Sequence, residues 1–292
     1  MAVTDRPARA SIEGFTLRDA WRSFRTAIGL GWAIESNWSD PFLFAIYTLA
    51  KPLSAALILV FMFQIISGGG NPEFLQFLVV GSALWNVVFG VMGGLVMSIL
   101  EDRERYRMMK YVVVTPTSLF PFLLGRSLAR VLISLVAVAT TLTIGVLLLG
   151  VRIHLDLGML IPATVLGLSA VIALGILMAG LCLQLRQEAW SYPEAIAGAL
   201  YLLSGAIFPV EILPTFIQPI AYAFPTTWWL EGTRRGLLGH GAPGGMESLS
   251  DASVLLFLLV TTAVVIPVAL GAFRLFIRRA RQRGLLDMTT GS

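Results

Sequence analysis

Apolar runs long enough to cross a bilayer recur along this chain, and they limit its possible folds more than any other feature. A crossing helix needs about 20 apolar residues. Runs of that kind lie at about Phe42–Ile66, Phe74–Ile99, Leu128–Leu149, Leu157–Leu185, Tyr192–Phe208 and Val254–Ile277. The short alternating segments of a membrane β-barrel are missing. Composition agrees: 57% of the residues are hydrophobic and 13% charged, against about 45–50% and 25% in soluble domains. The expected fold is an all-α integral membrane protein with six transmembrane helices. An N-terminal amphipathic interfacial helix precedes them, and a re-entrant exterior element follows the fifth span.

The parts follow in order. Residues 1–13 are polar and read as a disordered cytoplasmic tail. Met1–Ser11 lacks the apolar core of a cleavable signal peptide, so the first span is expected to act as its own insertion signal. Residues 14–35 carry Phe15, Leu17, Trp21, Phe24, Ile28 and Trp32 at helical spacing, interleaved with Arg18, Arg22 and Arg25. That pattern predicts an interfacial helix with aromatic residues inward and arginines toward headgroups; packing on a soluble partner or on the protein's own flank is the other reading. Residues 36–277 form the transmembrane domain, and 278–292 a basic cytoplasmic tail. Lys51 interrupts the first span; it either snorkels to the interface or forms a buried pair.

After the fifth span, Pro209 and Pro214 break the chain, and the apolar piece Phe216–Phe224 before Pro225 is too short to cross. Such a piece is re-entrant or interfacial, and broken backbone at that depth needs protein or a water-filled cavity over it. Trp228 and Trp229 are expected as interface anchors. With both termini inside, nearly all basic residues of the loops and ends fall on the cytoplasmic side, and only Arg152, Arg234 and Arg235 fall outside. This asymmetry places the protein in the cell membrane, multi-pass, with both termini cytoplasmic. The net charge of +4 is then a matter of topology and gives no sign of nucleic-acid binding.

Most catalytic constellations are absent. There is no GxxxxGK[ST] loop to cradle ATP phosphates and no GxSxG nucleophile turn. The two histidines, His154 and His240, lie on separate exterior loops, and the single cysteine, Cys182, sits in an apolar run. Neither supplies a zinc set or a disulfide. Apart from Lys51 the spans hold almost no ionisable residue, as a proton relay would require. The chain is therefore expected not to be an enzyme and to hold no cofactor or metal. If it transports, a partner supplies the energy.

Between the second and third spans lies the densest charge in the sequence, Leu100–Arg130. Three stretches in this segment, Glu101-Asp-Arg-Glu-Arg105, Val114-Thr-Pro-Thr-Ser118 and Leu123-Leu-Gly-Arg126, together resemble the cytoplasmic loop of type-2 ABC transporter permeases. A second match, Leu203-Ser-Gly-Ala-Ile-Phe-Pro209 through Phe224-Pro225 to Leu230-Glu-Gly-x-Arg234, is similar to that family's segment after the fifth span. The likeness runs over nearly the whole chain. It departs at Tyr106-Arg107-Met108-Met109-Lys110, where the family often has Gly-Thr followed by Leu and Glu, so the coupling surface would suit a particular ATPase.

The resemblance implies a division of roles. Tyr111, Val112, Val113, Val114, Thr115, Pro116, Thr117 and Ser118 would form or abut the helix that couples to the ATPase. Glu101, Arg103, Glu104 and Arg105 would make a polar junction bracing the second span against the N-terminal helix. Phe208, Pro209, Glu211, Pro214 and Phe216 would belong to an exterior gate. Phe77, Trp85, Phe89 and Tyr201 are candidates to line the pathway. ATP and Mg would bind a separate ABC ATPase subunit, present in two copies, alongside a second permease copy or homologue and membrane lipid. The implied activity is export of an amphipathic substrate such as a drug, a lipid or a lipid-linked glycan. The alternatives are polysaccharide or lipid-linked glycan export specifically, and a non-transporting scaffold for a cytoplasmic protein.

Overall fold

The computed structural model describes residues 17–36, 72–104, 119–185, 191–242 and 244–284, with scattered positions between 40 and 65. All regular structure among the described residues is helical. Helix α1 is Leu17–Ser36, α2 Pro72–Glu104, α3 Leu119–Leu149, α4 Leu157–Cys182 and α5 Ser191–Leu203. The short α6 (Gln218–Ala223), then α7 (Pro225–Leu238) and α8 (Asp251–Gln282) complete the order, with single 3-10 turns at Val210–Ile212 and Gly245–Ser248.

Four of these helices, α2, α3, α4 and α8, are long and apolar enough to cross a membrane. They match the second, third, fourth and sixth predicted spans with shifted ends. Pro72 opens α2 at a position where its missing N–H costs nothing. The start of the charged segment, Leu100–Glu104, is the last turn of α2, where Arg103 meets the carbonyl end of the helix dipole. Helix α3 starts before the predicted span at Leu128 and takes in Pro121–Gly125. Asp156 caps α4 by accepting from the amides of Gly158 and Met159 at 2.9 and 3.4 Å. The supposed tail residues Arg278, Arg279 and Arg281 are helical in α8, where cations offset the dipole.

Two predicted spans stand differently. The described positions of the first are helical, with Phe42, Ile58, Phe61 and Ile65 exposed and Val60 buried. Lys51 lies outside the described residues. In the fifth, the helix is 13 residues long and ends at Leu203, short of Phe208.

Burial ranks the long helices. In α2 and α4, 72% and 61% of the apolar window is covered by protein, against 33% in α3 and 22% in α8. The two central helices thus carry the core, with Leu95, Val96 and Ile99 of α2 beside Ile176 and Ala179 of α4. The outer two present Leu132, Val136, Leu256 and Val264 outward, as hydrocarbon-facing positions do.

Helix α1 lies along the start of α3. A Cβ on Gly125 would stand 2.5 Å from the Phe24 carbonyl oxygen and 2.6 Å from Ala27 Cβ, so only glycine allows this approach. Ala27 and Gly31 are buried, and Phe24 is half-buried. Trp21 and Trp32 instead stand exposed on the side of Arg22 and Arg25. Small residues make the helix contact and both tryptophans point away from it, so this helix packs on the protein's own flank, the other reading of its sequence.

Candidate functional site

Buried charge collects at both ends of the bundle. At one end is the segment after α5. Leu203 closes that helix, the Ser204 amide donates to the Leu200 carbonyl at 2.8 Å, and Gly205 takes a positive φ of 73°. Pro209 is extended and leads into the 3-10 turn. Side chains then staple the return. Gln218 Nε2 donates to the Glu211 and Leu213 carbonyls at 3.1 and 2.8 Å. The Tyr222 hydroxyl donates to Glu211 Oε1 at 3.3 Å, and Trp228 Nε1 to the Tyr222 carbonyl at 2.8 Å. Burial, reinforced by the Glu211 carboxylate, pushes the Tyr222 hydroxyl up to about 12, so it keeps the proton it donates.

Helix α7 is 14 residues long, about 21 Å at 1.5 Å per residue, which is shorter than a bilayer core. It is nevertheless buried from Pro225 to Leu238, charged residues included. Arg235 is held by Glu231 Oε1 at 2.8 Å, Asp251 Oδ1 at 2.8 Å, and the Leu249 and Met246 carbonyls at 2.6 Å each. Burial works against its charge, and the hydrogen bonds it donates to the Asp251 and Glu231 carboxylates outweigh it, leaving its pKa raised. Glu231 Oε2 accepts from the Ala242 amide at 3.0 Å. Arg234 Nη2 donates to the Gly205 and Ala206 carbonyls at 2.8 and 3.0 Å. Its guanidinium carbon stands 3.7 Å from the centroid of the Phe77 ring, a cation–π contact.

These contacts correct two sequence expectations. Arg234 and Arg235 are not loop charges; they are 2% and 7% exposed and hold the segment together. Trp228 and Trp229 are not interface anchors; both are buried, and Trp228 stacks on Phe257 with centroids 4.6 Å apart. The stretch after α7 adds a 3-10 turn, a buried Met246 and two carbonyls for Arg235.

The gate candidates spread over this segment. Pro209 is buried, Phe208 and Glu211 are half-buried, Pro214 is exposed and Phe216 is 77% exposed. Of the lining candidates, Phe77 is buried under Arg234. Trp85 is buried, with its ring centroid 4.8 Å from that of the half-buried Tyr201. Phe89, one turn further along α2, is exposed.

At the other end, Arg126 Nη1 donates to both oxygens of Asp102, at 3.0 and 3.3 Å, with side chains 1% and 2% exposed. This buried ion pair joins the last turn of α2 to the first turns of α3. Arg103 is buried and reaches the Leu185 carbonyl beyond α4 at 3.5 Å. Gln184 Nε2 donates to the Phe276 carbonyl of α8 at 2.7 Å. The ends of four helices on this side of the bundle are thereby tied together. Glu101 is half-buried. The side chain of Glu104, all of Arg105 and the coupling residues Tyr111–Ser118 lie outside the described residues.

Sequence reasoning missed Asp102 as a junction residue, and it missed Glu231 and Arg235. The Glu231–Arg235 spacing of four was a readable helical-pair signal. Asp102 and Arg126 stand 24 positions apart, and no local pattern links them. Among the described residues no group of three or more His, Cys, Asp or Glu stands together as a metal site would need.

A family model described as ABC-2 type transporter matches residues 30–238. The match contains both members of the Asp102–Arg126 pair and ends with α7. No curated protein matches the chain.

Proposed function

The chain belongs to the ABC-2 type transporter family and is a permease subunit of an ABC transporter; from that premise we propose that it exports an amphipathic substrate, driven by a separate ATPase through residues 105–118. Permeases of this family generally work with an ABC ATPase partner. The observation that carries the reading is the buried Asp102–Arg126 pair. It closes the base of the segment between α2 and α3, so a pull there meets a charge-assisted contact with few soft degrees of freedom. ATP and Mg belong to the partner, which enters as two copies beside two permease subunits, and this chain carries no hydrolytic step of its own.

The substrate class rests on Trp85, Tyr201 and Phe89, an aromatic face along α2 and α5 suited to an apolar body. A drug, a lipid or a lipid-linked glycan shares that chemistry. The positive-inside bias supports both termini in the cytoplasm. Proteins co-purified from native membranes, with and without alanines over Tyr111–Thr117, test the reading. An ATPase that accompanies the parent chain and is lost from the alanine block is the expected result. Absence of any ATPase overturns it and leaves the scaffold reading. Substituting Pro209 or Pro214 discriminates further: transport falls in a permease, and a scaffold is indifferent.

A further inference from the structure

Helix α2 is gripped at both ends by buried cations that belong to other elements. It runs 33 residues, roughly 50 Å at 1.5 Å per residue, and its sequence has no proline after Pro72. An unbroken helix moves as a stiff body. At its cytoplasmic end Asp102 accepts from Arg126 of α3. The α3 backbone at that point is itself held by α1, since a Cβ on Gly31 would stand 3.4 Å from Arg126 Cα.

At its exterior end, the Phe77 ring lies under the Arg234 guanidinium. One turn along, Gly81 faces Arg234 Nη2 and the Ala206 carbonyl so closely that any side chain would displace them. Arg234 in turn binds the carbonyls of Gly205 and Ala206 after α5. One buried side chain thus joins α2, the α5 turn and α7, all at one end of the rod.

We propose that α2 is the transmission rod of the transporter, with Asp102–Arg126 receiving motion from the cytoplasmic segment and Phe77–Arg234 delivering it to the exterior element. The inference rests on the permease reading and adds its mechanical route. Asp102, Arg126, Phe77 and Arg234 are positioning residues: they touch one another and carry displacement between two sites.

The chain has one cysteine, the buried Cys182, which makes site-specific labelling direct. In a Cys182→Ala background, Phe216→Cys places a thiol on the exposed part of the exterior element. An environment-sensitive fluorophore there is followed in the purified complex with its bound ATPase, in Mg-ATP and in Mg-ADP. The parent changes emission between the two nucleotides. Asp102→Asn and Arg234→Lys each cut that change by at least about 5-fold per intact complex, the lower range of allosteric coupling, with the ATPase still bound. The reversed pair, Asp102→Arg with Arg126→Asp, recovers the change.

A merely structural role lowers the yield of intact complex and leaves its response unaltered, and that result overturns the proposal. So does a parent that ignores nucleotide, or a reversed pair that stays silent as an intact complex. If Asp102→Asn or Arg234→Lys fails to assemble, Arg126→Lys and Phe77→Leu, which keep charge or apolar bulk, are read by the same criterion. Absence of any ATPase from the parent complex is the separate failure of the permease reading.

Discussion

The two ends of the bundle both bury an arginine, and they hold it in different ways. Arg235 has four partners on three segments, two carboxylates and two backbone carbonyls. All lie within 16 positions of it in sequence. Arg126 has one carboxylate, 24 positions away. A charge fixed by several local partners cannot shift without breaking all of them, so the segment around α7 is built as a block. A charge fixed by one distant partner joins two helices at a point, and a point can act as a pivot. The over-determined end resists deformation, and the singly pinned end is where a push can be admitted.

The comparison breaks first at Arg235. Arg235→Ala leaves Glu231 buried beside only the Ala242 amide and frees two carbonyls. Stranding a buried charge costs about 3–5 kcal/mol, and the expected value lies at the top of that range. Thermal unfolding in detergent measures it, together with a fall in folded protein in the membrane. Asp102→Asn comes next. It keeps an acceptor for Arg126 and removes the charge, so its expected cost is about 1–3 kcal/mol. Asp102→Asn costing more than Arg235→Ala would reverse the ranking of the two ends and sink the distinction between block and pivot.

The same contrast governs what could be read from the sequence. The four long spans were legible because lipid imposes one demand over a whole run, and Leu, Val and Ile meet it without reference to any partner. Helix α7 was not legible. Its Glu231, Arg234 and Arg235 look like solvent residues until Met246, Leu249 and the Gly205 turn are seen to satisfy them, and those partners belong to other elements. Trp228 and Trp229 failed for a related reason: a tryptophan suits an interface and a core equally, and only Phe257 and the Tyr222 carbonyl decide. The charged run at the end of α2 drew attention through Glu101 and Arg103, and the member that pairs with Arg126 is Asp102 between them. Helical geometry turns Asp102 toward α3, and no periodicity in a five-residue charge run tells which member faces inward. Gly125 shows the converse. In the sequence it is one member of Leu123-Leu-Gly-Arg126, and in the structure it is the place where α1 touches α3, a role no composition rule assigns.

A smaller effect sharpens the account of the exterior block. Trp228→Phe keeps the stack on Phe257 and deletes the bond to the Tyr222 carbonyl. The expected loss is about 1 kcal/mol, one hydrogen bond. It tests whether α6 is held to α7 by that bond in addition to the Thr227 hydroxyl on the Ala221 carbonyl at 2.7 Å. Adding Thr227→Val to Trp228→Phe should cost more than the sum of the two, because each bond alone keeps α6 in register for the other.

The smallest effect falls on Phe216, and its smallness is informative. The side chain is 77% exposed, so little apolar area is lost when it is cut back, and surface changes of this kind stay within about 0.5 kcal/mol. Phe216→Ser should therefore leave the unfolding temperature unchanged. Its other readout is transport. If the exposed ring meets lipid or a substrate as the exterior element moves, Phe216→Ser lowers transport without touching stability, the reverse of Arg235→Ala, where both fall together. Unfolding and transport measured side by side on the two variants separate residues that build the exterior block from residues that work at its surface. A Phe216→Ser protein that is stable and fully active removes Phe216 from the gate and leaves Phe208, Pro209, Glu211 and Pro214 as its candidates.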